Sequence, residues 1–264
     1  MVVMTAFQMK KMNNELLFLS GNDVLIEEIQ LLMHPPTIKE IAFVGEDSFF
    51  SGCELLRFNK DNLLSEDRSR LENFNNFEIL MSIMREKNPN MQKSIKAASF
   101  VLTLLFPTYD IKWDFENLRI IFKHDEHEVY LDKNNYHIFV KYLNELLCLD
   151  GDAKGSDYNP SGSLASKIAD KLKDRHAKLA AKDAKSGQKI AILSRYVSIL
   201  AVGENKDMNS LLNYTIYQLF DELKRFQLKE AWDIHIKSLL AGASAEDSKE
   251  VDDWMDDIHS NIEK

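Results

Sequence analysis

Glycine and proline are scarce in this chain, at 9 and 5 of 264 residues. An all-β sandwich or barrel needs turn chemistry every 8 to 12 residues or so, so this scarcity disfavours one and leaves helix as the dominant element. Cysteine is scarcer still. Cys53 and Cys148 lie far apart, supply neither a disulfide framework nor a zinc motif, and suit a reducing compartment. Both read as ordinary buried thiols. The longest apolar runs, such as Phe100 to Pro107, fall well short of the roughly 20 residues of a membrane span. Met1 to Gly21 shows no basic region followed by an apolar run and a cleavage site. The expectation is a soluble, cytoplasmic protein without a membrane partner. Positive charge is also in deficit, with 33 Lys and Arg against 42 Asp and Glu and a net charge of −9. Binding to nucleic acid is driven by neutralising phosphates, so nucleic acid is not the general partner expected here.

Chemistry-bearing motifs are missing too. There is no Gly-x-Ser-x-Gly, no glycine-rich phosphate loop and no cysteine and histidine at a suggestive spacing. The expectation is a protein that is not an enzyme and uses no cofactor. What is present is ordinary globular composition, 45% hydrophobic and 28% charged, enough to bury a core in one large domain or two small ones.

Taken in order, Leu16 to Leu19 and Val24 to Ile26 are short apolar runs separated by Ser20-Gly21-Asn22-Asp23, a turn composition that predicts a small hairpin. Pro35-Pro36 breaks the chain, and Thr37 followed by Glu40 has capping-box spacing. A helix is expected from Thr37, with Ile38, Ile41, Ala42 and Phe49 inward. Leu71, Phe74, Phe77, Leu80, Met81 and Met84 have helical spacing over Asp67 to Lys87. Met91 to Phe106 is a denser helix that Pro107 ends. Three short runs follow, Ile111 to Phe115, Leu118 to Phe122 and Val129 to Leu131, with Lys123 to Glu128 as a polar hairpin loop between the last two. Asp132 is the expected cap of a helix to Leu149 with Phe139, Tyr142, Leu143, Leu146 and Leu147 inward.

Asp150 to Ser163, DGDAKGSDYNPSGS, reads as a linker. The domain organisation is therefore 1–149, mixed and mostly helical; 150–163, linker; and 164–264, a helical module with an acidic tail. The fold class is mainly α with a few short β-strands: an α+β N-terminal module and an all-α C-terminal one. Leu164 to Lys185 is a strongly basic helix with a narrow apolar stripe. Lys189 to Val202 is a more apolar helix that Gly203 closes. Asn209 or Ser210 caps a final helix in which Leu212, Thr215, Ile216, Leu219, Phe220, Leu223 and Phe226 face inward and Asp221, Glu222, Lys224 and Arg225 face water. It continues through Trp232, Ile236, Leu239 and Leu240 to Ala241-Gly242.

Each charged cluster has a plain reading and a functional one. His124 and His127 with Asp125, Glu126 and Glu128 are ligand-type residues, but no converging set of about four is visible, so an exposed turn is preferred over a metal site. Asp252, Asp253, Asp256 and Asp257 surround Val251, Trp254, Met255 and Ile258. They lack the glycine and alternating oxygens of a calcium loop. The segment is either a solvated acidic face or a docking peptide anchored by Trp254. Its complement within the chain is the basic helix. The candidate partner-binding residues are Phe220, Phe226, Trp232, Ile236, Leu239, Leu240, Trp254 and Met255.

At these residues the chain resembles a known group. TIYQLFDELKRFQLKEAWDIHIKSLLAGA followed by EVDDWMDDIH is similar to the C-terminal region of proteins from the tail modules of phages and prophages of Gram-positive bacteria. PPTIKEIAFVGEDSFF is similar to an opening in the same group. Asp150 to Lys185 matches no fixed pattern of that group. The resemblance implies a tail assembly chaperone, which acts during virion morphogenesis, coats the tape measure protein, helps recruit tail tube subunits and is absent from the finished particle. Two further readings stay open: a structural tail or baseplate adaptor, and a nucleic-acid-binding regulator acting through the basic helix.

Overall fold

Reciprocal side-chain and backbone exchanges introduce helices among the described residues, each a polar residue answered three positions later. The Glu40 N–H donates to Thr37 Oγ1 at 3.2 Å while the Thr37 N–H donates to Glu40 Oε2 at 2.7 Å. Asn75 and Glu78 repeat the exchange at 2.8 and 3.0 Å, and Thr215 and Gln218 at 3.2 and 2.8 Å. Each satisfies two backbone groups that a helix start leaves open.

The computed structural model describes residues 14–62, 71–86, 91–149, 192–242 and 254–255. The chain is mainly α with short antiparallel strands, α+β in its N-terminal region and helical in its C-terminal region. It divides into two compact units, Met1–Leu147 with Asn209–Gln218, and Cys148–Met208 with Leu219–Lys264. The linker expected at 150–163 and the basic helix expected at 164–185 lie outside the described residues.

In the first unit, α1 comprises helical residues 14–20. Strand β1, Val24–Ile26, pairs antiparallel with β2, Leu31–Met33. The hairpin expected between Leu16–Leu19 and Val24–Ile26 is therefore displaced. Its first run is helical, because Gly21 at φ 72° ends that helix with a bond to the Phe18 carbonyl at 3.1 Å. Helix α2, Ile38–Val44, stops at Gly45, whose φ of 91° breaks the helix, and α3, Glu46–Leu56, starts afresh. Phe49 is buried in α3 rather than on a continuous helix from Thr37, and Ala42 is exposed.

Helix α4 is Asn76–Arg85, shorter than the spacing predicts, because Asn75 caps it; Leu71 and Phe74 lie in the preceding turn. Helix α5, Gln92–Leu105, packs along α3. Strands β3, Asp110–Asp114, β4, Arg119–His124, and β5, His127–Leu131, form an antiparallel meander. The expected six-residue loop shrinks to Asp125-Glu126, with Asp125 at φ 52°, because the ladder runs out to the His124–His127 pair. Helix α6, Tyr136–Leu146, is entered through Asn135, not Asp132. Asp132 still makes a cap-type exchange one turn earlier: it accepts the N–H groups of Asn134 at 2.8 Å and Asn135 at 3.3 Å, and its own N–H donates to Asn135 Oδ1 at 2.8 Å. The five residues expected inward on this helix are all buried.

Long-range backbone pairing completes this unit. The Ile38 N–H donates to the Tyr214 carbonyl at 2.9 Å, and the Ile216 N–H to the Pro36 carbonyl at 3.0 Å. Beside this junction His34 lies between two carboxylates, with Nδ1 2.8 Å from Asp23 and Nε2 3.3 Å from Glu40. Burial opposes a charge on the ring, but the hydrogen bonds to Asp23 and Glu40 outweigh it and raise His34 above its ordinary 6.5. Burial likewise works to raise Glu40, yet hydrogen bonds from Thr37 and His34 hold it below 4.5.

The raised His34 contributes stability that is complete below about pH 6.5 and lost as pH rises through its folded value. The lowered Glu40 contributes above about pH 4.5 and loses this as pH falls. The His34 side chain is 25% exposed and its partners 43% and 42%, so screening reduces the effect. Replacing His34→Gln should therefore cost about 0.5 to 1 kcal/mol more at pH 5.5 than at pH 9. Urea unfolding at the two pH values checks this; equal losses would contradict it.

Candidate functional site

The second unit contains α7, Ile192–Gly203, and most of α9, Ile216–Leu240; α8, Met208–Leu212, lies at the boundary. Helix α9 begins at Ile216 with Thr215 as its cap, not at Asn209 or Ser210, because the short α8 and its turn intervene. Its 25 residues span about 37 Å at 1.5 Å per residue. Gly242, at φ 95°, closes it with a bond to the Leu239 carbonyl at 3.0 Å.

The character of α9 changes along its length. Ile216, Tyr217, Leu219 and Leu223 are buried. Asp221, expected to face water, is 7% exposed and lies 3.7 Å from Arg225, the pairing partner one turn on that makes its burial tolerable. Lys206 pairs with both Glu204 and Glu222. Further along, Ile234 is 61% exposed, Ile236 37% and Leu240 83%. Charges continue through this half, with Lys229 and Asp233 paired at 3.3 Å.

Of the eight residues singled out in the sequence, Phe220 and Phe226 pack within their own unit. Phe220 meets Tyr196 edge-on at 6.1 Å. Phe226 lies over Gly203, where an added Cβ would sit 2.4 Å from its ring. Helix α7 ends at Gly203 as expected, but not through a left-handed conformation: Gly203 is its last residue and is small because the ring needs the space. Trp232, Ile236, Leu239 and Leu240 recur at i, i+4, i+7 and i+8; Trp232 and Leu239 are half-buried, and Trp232 lies 6.1 Å from His235. Trp254 is half-buried and its carbonyl accepts from Arg225 Nη1 at 3.2 Å, which brings it to α9, whereas Met255 is 69% exposed.

Ile234 is exposed among these residues, although helical spacing does not single it out. At 100° per residue it stands about 200° round the helix from Trp232, so it belongs to no single stripe. The signal was present in Trp-Asp-Ile-His-Ile, where apolar residues at both 234 and 236 put apolar surface on opposite sides of one turn.

Other candidate chemistry does not converge. Among the described residues no group of three or more His, Cys, Asp or Glu side chains is placed to hold a metal ion. Burial pushes the Cys53 thiol up to about 12, which leaves it an inert thiol at neutral pH. No helix among the described residues is long and apolar enough to cross a membrane.

A family model described as the YomV second domain matches residues 182–259. YomV is a phage- and prophage-associated protein, so this part of the chain is similar to a phage-associated domain. The match takes in α7, α8, α9, Trp254 and Met255, the stretch that carries all eight candidate residues. No curated protein and no solved structure matches the chain.

Proposed function

We propose that the protein is a non-enzymatic binding protein of phage tail assembly, a chaperone that holds the tape measure protein while tail tube subunits are recruited. The observation that carries this reading is a coincidence of place. The stretch similar to a phage-associated domain contains a helix that leaves Ile234, Ile236 and Leu240 exposed. Large apolar side chains left in water along one half of a helix offer surface to a docking partner.

The physics suits the role. A tape measure is a long helical chain whose apolar stripes face water before the tube closes round it. A helix with apolar side chains on several sides of its exposed half meets such a stripe by helix-to-helix packing and needs no chemistry. The paired charges Lys229 and Asp233 on the same half keep the free protein soluble.

Co-expression with the tape measure protein of the same phage or prophage tests the proposal. The tape measure should move from the insoluble to the soluble fraction and copurify with this chain; unchanged solubility would remove the main support. Mass spectrometry of purified particles separates the chaperone from a structural adaptor. A chaperone is absent from the particle, and an adaptor is present at fixed copy number.

A further inference from the structure

We infer that the first unit carries a second docking site, a trough beside α4 that takes an amphipathic helix bearing a carboxylate. The inference rests on the reading of the protein as a binding protein and adds a partner chemistry to it. The trough has a volume of about 850 Å³ and an apolar lining that includes Phe58, Phe74, Ile79, Met81, Phe115 and Leu118. Glu78, Ser82 and Arg85 of α4 also line it. Their i, i+4, i+7 spacing makes one side of the trough a straight helix edge about 10 Å long, or two turns.

Its walls are held open. Phe74 is 51% exposed, yet its backbone is fixed: its N–H bonds to the Leu71 carbonyl at 3.1 Å, and Lys60 Nζ donates to the Phe74 carbonyl at 2.7 Å and the Glu72 carbonyl at 3.1 Å. Leu118 is 42% exposed at φ 49°, an unfavourable conformation for a bulky residue. The turn that imposes it is fixed by Asp114, which accepts from the Asn117 N–H at 3.1 Å and from Arg119 Nε at 2.8 Å. Backbone fixed by these bonds keeps both apolar side chains at the rim, so a partner that fills the space between them has less to order on binding.

Three features select the occupant. None of the lining residues lies in a strand, so the trough offers no open ladder to an extended peptide. Exposed Phe74, Leu118, Ser82 and Arg85 leave it open along the rim, whereas a small-molecule pocket encloses most of its ligand. The charges at its two ends differ. The Glu78 carboxylate is engaged by the Asn75 N–H, while Arg85 makes no ion pair or hydrogen bond among the described residues. A helix of about two turns with apolar side chains at i and i+4 and a carboxylate beside the second meets both the lining and the free guanidinium.

The test uses the full chain and a stapled amphipathic peptide with leucines at i and i+4 and a glutamate beside the second, read by the methyl signals of the trough methionines Met81 and Met91. Both methyls should shift on titration, Ser82→Trp should abolish the shift by filling the trough, and Arg85→Glu should weaken binding about tenfold. A peptide with lysine in place of the glutamate should restore binding to Arg85→Glu, a recovery that misfolding cannot produce. Equal binding to the parent and Ser82→Trp, or no rescue, overturns the proposal. Saturation of the same methyls by decanoate with no peptide binding would show a small-amphiphile pocket and overturn it, as would shifts that depend on protein concentration alone, which mark a second copy. The peptide assay does not involve the tape measure protein, so this site and the proposed function can fail separately.

Discussion

Gly52→Ala should lower the unfolding free energy by about 1 to 3 kcal/mol, although alanine is the better helix former by about 1 kcal/mol. Gly52 sits within α3 at its contact with α5, where an added Cβ would lie 2.5 Å from the Ala97 carbonyl oxygen and 2.6 Å from a Val101 methyl. The methyl can rotate away, but the carbonyl belongs to the α5 backbone and moves only if the helix does. Overpacking against backbone therefore outweighs the gain in propensity. Urea unfolding followed by circular dichroism measures the difference. A variant as stable as the parent would mean that the two helices pack less closely than the structure shows.

Phe106→Ala should cost more, about 3 to 5 kcal/mol. Its ring is fully buried and lies 5.0 Å from Phe122 on β4, 6.0 Å from Phe139 on α6 and 6.2 Å from Tyr109. Truncation opens a cavity where sheet and helices meet and removes three ring contacts, which contribute beyond the area they bury. Phe100, six residues earlier on α5, is the control: at 59% exposed, its replacement by alanine should change stability by no more than about 0.5 kcal/mol. Similar losses at both positions would contradict the assignment of the core.

Local signals were legible in the sequence where they act locally. Thr37 with Glu40 starts a helix as the spacing predicts, Pro107 follows the end of α5, and the three runs from Ile111 to Leu131 form three strands. Where the structure departs from the expected pattern, one residue type serves a use that periodicity does not distinguish. Leu71 and Phe74 keep the helical period of α4 but line a trough from a turn. Gly203 does end α7, yet without a left-handed turn, and its small size serves the packing of Phe226. Asp221 looks like a surface charge and is buried against Arg225. The bonds from Tyr214 and Ile216 to the Pro36–Ile38 segment have no local signature at all, since each end looks like an ordinary turn.

The candidate surface was legible as a list of apolar residues in the last helix, because helical spacing alone identifies them. How far each protrudes depends on what packs beside it. Phe220 and Phe226 turn to α7, whereas Leu240 and the unforeseen Ile234 face water.

The central claim is that the exposed half of α9 binds a partner helix in tail assembly, and a binding isotherm with the double variant Ile234→Asp and Leu240→Asp tests it most directly. Both positions are exposed, so the variant should unfold at the same urea concentration as the parent. Titrated with purified tape measure protein, it should bind at least about tenfold more weakly, the loss expected when apolar anchors are replaced by charges. An affinity equal to that of the parent would contradict the account.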